Sequence, residues 1–168
     1  MTNVVKSVNL GMKKYEISEE GLGSHFFLAE PDGAHDYVRM SRKGITKSAA
    51  YALGKAFSFT IEELAGVLNI TARTLQRKAD SETMPLHVSE RLIELFVLFK
   101  MGVEVFGDST KFLSWLQTPV VSLGGIAPKA FLDTTFGIKI VYDELGRIQH
   151  GVFSWLFSEL PRNDTSEI

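Results

Sequence analysis

Arg73, Thr74, Arg77 and Lys78 fall within six residues, directly after Thr71, a residue type that caps helices. On a helix, positions 73 and 77 share a face and 74 and 78 lie beside them. An exposed arginine there can pair bidentately with guanine O6 and N7. The Thr74 side chain can bond a phosphate or touch a thymine methyl. Thr71 and the first N–H groups of the helix can hold a phosphate. Lys43, Lys47 and Lys55 can add backbone contacts that position a module without reading sequence. The same residues also suit an ordinary helical hairpin with a basic surface, so the chemistry points to DNA without requiring it.

Several elements must position these side chains. Tyr37 to Arg42 reads as a first helical turn or two, ending at Gly44. Thr46 suits the N-cap of a helix through Phe57, with Ala49, Leu53, Ala56 and Phe57 on one face. Thr60-Ile61-Glu62-Glu63 fits a capping box, with Glu63 placed to reach back to the Thr60 N–H. Ile61, Leu64, Ala65 and Leu68 then repeat at helical spacing. Thr71 caps a third helix to about Ala79. The segment from Ile61 to Lys78 has the proportions of a helix-turn-helix. Ala65 is small where two helices must pack closely. Asn69 occupies the turn, where it tolerates a left-handed backbone. Ile70 and Leu75 plug the space between the helices. Lys78 departs from the pattern, since many such motifs are apolar there.

Charge distribution supports this placement. The chain has 168 residues and a net charge of −2. Residues 1–38 hold 3 basic and 6 acidic side chains, residues 39–78 hold 8 and 2, and residues 79–168 hold 7 and 12. The segment nets are therefore −3, +6 and −5, and the basic excess is confined to the helix-turn-helix region. The absence of cysteine excludes disulfides and thiolate metal sites and suits a reducing cytosol. Met1 to Leu10 lacks a signal-peptide run, and no stretch is apolar enough for a membrane span, so a soluble, cytoplasmic protein is expected.

The rest of the chain also reads as helix, giving an all-α fold class. Residues 1–36 form an extension with weak periodicity, broken by Gly21, Gly23, Pro31 and Gly33, and suit short strands or a docked arm. Met84-Pro85 marks a boundary. A long helix from about Val88 to Phe106 closes a first domain at 37–106. The second, 107–157, holds a short helix at about Thr110 to Leu116, a Gly124-Gly125 loop, a helix opening at Pro128 and a last helix at about Thr135 to Gly151. Trp115, at helical spacing from Phe112, reads as core. Gly124-Gly125 serves either a tight turn or close approach to a neighbour. Asp143-Glu144 reads as a solvated face. Arg147 either reaches anionic groups of a partner or makes an ion pair within its own domain. Phe153, Trp155, Leu156 and Phe157 either join the core or meet a partner. Residues 158–168 read as a flexible tail.

Nothing here suggests catalysis. His25, His35, His87 and His150 lack metal-ligand spacing. No nucleophile elbow, phosphate loop or paired-carboxylate arrangement is present, and Gly21-x-Gly23 lacks the third glycine of a dinucleotide fingerprint. The reading is of a non-enzyme with no cofactor and no metal.

Ordered fragments resemble a known family. Gly44-Ile45-Thr46-Lys47, Glu62-Glu63-Leu64-Ala65, Arg73-Thr74-Leu75-Gln76-Arg77 and Ser89-Glu90-Arg91-Leu92 look like the N-terminal half of the Xre/MbcA/ParS antitoxins. Phe106-Gly107-Asp108, Trp115-Leu116-x-x-Pro119, Leu123-Gly124-Gly125-x-x-Pro128, Leu132-x-Thr134-x-x-Gly137 and Arg147-Ile148-x-x-Gly151-Val152 look like their toxin-binding half. Each fragment is weak alone, but the ordered set over roughly residues 37–154 is specific. Phe136 departs from it, standing where a polar or acidic residue is expected.

The resemblance implies a Cro/Xre-like helix-turn-helix domain followed by a small helical toxin-binding domain. It implies an antitoxin whose C-terminal domain covers the active-site cleft of its toxin, usually a RES-domain, NAD-consuming toxin or a related ADP-ribosyl-transferring one. It also implies repression of the protein's own operon by a homodimer on operator DNA, usually with the toxin. Lys43, Lys47, Thr71, Arg73, Thr74, Arg77 and Lys78 are then the DNA-binding set. Gly124, Gly125, Pro128, Glu144, Arg147 and Gly151 are the toxin-binding set. The alternative is a stand-alone dimeric helix-turn-helix regulator with a C-terminal dimerisation or sensing domain.

Overall fold

The structure, a computed structural model, describes residues 7–10, 13–16 and 34–158, with side chains over 35–151. Strand β1 (Ser7–Leu10) pairs antiparallel with β2 (Lys13–Glu16), Ser7 opposite Glu16 and Leu10 opposite Lys13. Apart from this hairpin the described residues form an all-α fold. The side chains of Phe153, Trp155, Leu156 and Phe157, the rest of the 1–33 extension and the tail after Ser158 lie outside the described residues.

Local capping chemistry sets most helix starts. Helix α1 spans Ala34–Lys43, longer than the turn or two expected. Helix α2 (Lys47–Ala56) begins at Thr46, whose Oγ1 accepts from the Ala49 N–H at 3.3 Å. Helix α3 (Ile61–Val67) has both halves of the capping box. The Thr60 N–H donates to Glu63 Oε2 at 2.9 Å, and the Glu63 N–H donates to Thr60 Oγ1 at 3.1 Å. Helix α4 (Ala72–Arg77) begins at Thr71 and stops before Lys78, slightly short of the expected end. Helix α5 (Leu86–Phe106) follows Pro85 and ends at Gly107, whose φ of 73° lies in the left-handed region. Asp108 then caps α6 (Ser109–Gln117) by accepting from the Thr110 N–H at 2.6 Å.

The expected helix at Pro128 is only a 3-10 turn, Pro128–Phe131, preceded by another at Val121–Leu123. The Leu132 N–H donates to the Lys129 carbonyl, an i to i+3 bond that tightens the turn instead of extending it. Helix α7 then restarts at Thr135 and runs to Ser158. Its first turn abuts the 3-10 turn at Gly137, where a Cβ would lie 1.8 Å from the Phe131 carbonyl oxygen.

One core runs through both halves. Leu53, Leu68 and Leu75 bury with Leu92, Leu95 and Leu98 of α5, and the same cluster continues through Phe112, Leu116, Leu132, Val141 and Leu145. Each such side chain contributes roughly 1.5–3 kcal/mol when fully buried. Aromatic contacts cross the junction. Phe57 and Phe112 have ring centroids 6.3 Å apart, and Phe99 packs edge-on to both. Trp115 is partly buried between Phe106 and Phe112, the core role expected of it. The domain boundary read at Phe106-Gly107 is a turn in the chain, and the core does not stop there.

Candidate functional site

Helix α4 presents the first group of functional side chains. Leu75 is fully buried and fixes the helix, while Arg73, Thr74 and Arg77 point to solvent. Thr71 Oγ1 accepts from the Thr74 N–H at 3.1 Å, so the N-cap is spoken for by the protein itself. Asn69 has a φ of 54°, the left-handed turn expected between the two helices. Lys43 and Arg73 are exposed and make no ion pair among the described residues.

Lys47 is placed differently from the expected backbone contact. Its side chain is only 12% exposed and turns inward. The ammonium donates to the carbonyls of Lys78 at 2.6 Å and Gln76 at 3.2 Å, and pairs with Asp80 at 3.2 Å. A cation suits these carbonyls because the last turn of α4 leaves them without helical partners. Lys47 therefore locks α4 onto α2. Lys78 is also engaged, in an ion pair with Glu82. That bond, followed by one from the Ala79 N–H, holds the Glu82 carboxyl below its ordinary range. Arg73 and Arg77 are the exposed arginines of α4, Arg77 acting on Glu82 through space, while Lys43 on α1 and Lys55 on α2 are exposed as well.

The C-terminal half presents a second face. Gly124 and Gly125 have φ of 71° and 75° in an exposed turn, and an added Cβ at either would meet nothing within 4 Å. The pair makes a tight turn with the left-handed backbone that favours glycine, and no described residue of this chain approaches it closely. Pro128 is buried, so it packs the 3-10 turn and is not available as a surface contact. Glu144 corrects the expected solvated face: it is only 6% exposed. Its Oε1 accepts from Ser122 Oγ at 2.6 Å, and Arg147 Nη2 lies 2.5 Å from Oε2, an ion pair outside hydrogen-bond alignment. Arg147 therefore makes the intradomain pair, with its own side chain 63% exposed. Gly151 is exposed further along α7. Phe136 and Ile140 occupy the same stripe as Arg147 at helical spacing, and Phe136 is 83% exposed.

Among the described residues, polar ties join the two halves, and sequence reasoning missed them. Lys129 Nζ pairs with Glu63 at 2.7 Å and lies over the Phe59 ring at 5.4 Å. The buried Arg91 donates to the Asp133 carbonyl, to Thr135 Oγ1 and to Glu94, each at 3.1 Å. Asn69 Nδ2 reaches the same Asp133 carbonyl at 3.4 Å. The single local signal was Arg91 and Glu94 at i, i+3 on one helix. Among the described residues no group of three possible metal ligands stands together, and no helix is long and apolar enough to cross a membrane.

Both halves match known domains. Residues 36–96 match the antitoxin Xre-like helix-turn-helix domain, and residues 101–151 match the antitoxin Xre/MbcA/ParS C-terminal toxin-binding domain. An "Antitoxin Xre" of Yersinia enterocolitica is 35% identical over 95 residues, covering 55% of this chain and 64% of that protein. An "Antitoxin Xre" of Photorhabdus laumondii is 34% identical over 67 residues, 39% of this chain and 45% of that protein. The "Prs ADP-ribosylating antitoxin" of a Sphingobium species is 29% identical over 129 residues, 71% of this chain and 81% of that protein. The chain thus spans less than two thirds of the length of the two Xre relatives. The two domains stand in the order and at the positions of the two faces described above. By this pair of domains the chain belongs to the Xre/MbcA/ParS antitoxin family.

Proposed function

We propose that this protein is an antitoxin that neutralises a cognate toxin with the α7 face and represses its own operon with the α4 face. The toxin is a RES-domain, NAD-consuming enzyme whose active-site cleft the C-terminal half covers. The protein itself does no chemistry and needs no cofactor. Residues 37–106 carry operator binding and 107–157 carry toxin binding. A homodimer presents two copies of α4 to a two-half-site operator. Gly124, Gly125, Arg147 and Gly151 belong to the toxin-facing surface, with Glu144 beneath it holding Arg147.

The observation that supports this reading most is the pairing of the two matched domains with two separate exposed surfaces, one basic and one largely apolar. Co-expression tests it. The protein should relieve growth arrest caused by the product of the adjacent reading frame, with restored cellular NAD as the readout. Persistent arrest at matched expression would refute the antitoxin reading and leave a stand-alone regulator.

A further inference from the structure

We infer that Phe136, supported by Ile140, is the apolar anchor of the toxin-facing surface and seats in an apolar pocket of the toxin wide enough for an aromatic ring. The inference rests on the antitoxin reading and names the chemistry of its partner.

Phe136 is an unusual residue for solvent. Its side chain is 83% exposed, and Ile140 one turn on is 41% exposed. An aromatic ring carries a large apolar area, and interface energy concentrates in such residues when they fill a pocket. The ring also stands on a rigid mount. Before it, Thr135 Oγ1 accepts from Arg91 at 3.1 Å. Around it, the Gly137 N–H donates to Thr134 Oγ1 at 3.0 Å. After it, Gly137 is pressed so close to the Phe131 carbonyl that no side chain fits. The backbone at 134–137 is thus fixed before any partner arrives, which lowers the ordering cost of binding.

The charges beside the ring fix the kind of partner. Lys139 pairs with Asp143 at 3.0 Å, and Arg147 pairs with Glu144 at 2.5 Å. This part of α7 is therefore neutral, in contrast to the open arginines of α4. Recognition here is by shape and apolar contact. The occupant is the toxin because Phe136 and Ile140 lie within 101–151, the segment that matches a toxin-binding domain.

The test uses the full-length chain and the purified product of the adjacent reading frame, with affinity measured by calorimetry. Phe136→Asp should weaken binding by at least about 30-fold, as expected for the loss of a hot-spot aromatic. Phe136→Leu should stay within about fivefold of the original affinity, because a volume-similar apolar side chain keeps much of the contact. Val38→Asp, at an exposed apolar position on α1, should bind like the parent. Raising salt from about 50 to 200 mM should change toxin affinity less than about threefold, since little net charge is neutralised. The melting temperature of Phe136→Asp should match the parent, because the ring is exposed in the free protein.

Parental affinity in Phe136→Asp overturns the inference and leaves the antitoxin reading intact. Failure of the parent protein to bind the toxin overturns both. If Phe136→Asp instead breaks up a homodimer while toxin affinity holds, the pocket belongs to a second copy and the inference fails.

Discussion

The Lys129 ammonium lies 2.7 Å from the Glu63 carboxylate. Glu63 also closes the capping box of α3, so one side chain serves a helix end in the first half and a 3-10 turn in the second. The bond from Lys129, and then that from the Thr60 N–H, hold the Glu63 carboxyl below its ordinary 4.5. A folded-state value below the unfolded one gives stability that is complete above the ordinary glutamate range. It is lost as pH falls through the lowered value. The pair is partly exposed, so its worth is under about 1 kcal/mol. Lys129→Met should lower the melting temperature slightly at neutral pH and flatten its fall as pH drops through and below the ordinary glutamate range. An acid limb as steep as the parent's would show that the bond does not form in solution.

Gly137 and Gly66 should respond oppositely to alanine. At Gly137 a Cβ would lie 1.8 Å from the Phe131 carbonyl oxygen, so backbone must move. Gly137→Ala should cost about 3 kcal/mol or more, at the upper end of overpacking effects. Gly66 sits in α3 with nothing within 4 Å of an added Cβ. Gly66→Ala should stabilise by about 0.5–1 kcal/mol through helix propensity. Denaturant melts of both variants settle the matter, and equal shifts would contradict this packing.

Arg91 should behave as a structural keystone. It is 8% exposed and holds the Asp133 carbonyl, Thr135 and Glu94. Arg91→Ala strands these acceptors and should cost about 3 kcal/mol. A loss below about 0.5 kcal/mol, the range of an ordinary surface change, would show that water replaces the guanidinium without penalty.

The shared core predicts the fate of a truncated chain. A fragment ending at residue 107 lacks α6 and α7, whose Phe112, Val141 and Leu145 share one buried cluster with Leu95 and Leu98. Such a fragment should show no cooperative thermal transition. A sharp melt with parental helix content would establish the helix-turn-helix as independent.

Arg73→Ala and Arg77→Ala should each weaken operator binding by about 1–3 kcal/mol. Both keep the caps of α4, so helix content should not change. Operator affinity that is unchanged in both variants, measured at fixed salt, would move the DNA contact elsewhere.

The features legible in the sequence are those decided by a few adjacent residues. Thr46, Thr60 with Glu63, and Thr71 each cap a helix three residues away or less. Asn69 announced its own left-handed turn. Lys47 and Glu144 could not be placed because their surroundings come from distant segments. Lys47 meets the end of α4, and Glu144 meets Ser122. Local spacing showed both as surface charges. The helix expected from Pro128 failed for a related reason, since close packing of Gly137 on Phe131 forces a turn before α7 can begin. Phe136 stood out in the sequence as a departure, but only the fold shows that it is left in water.

A continuous core should also give the two faces a single lifetime. Leu75 under the Arg73 face and Val141 under the Phe136 face belong to one cluster. Opening that cluster exposes both to a protease in the same event. Degradation that follows global unfolding should therefore leave no intact half behind. On the proposed function, the toxin and the operator should then be released together.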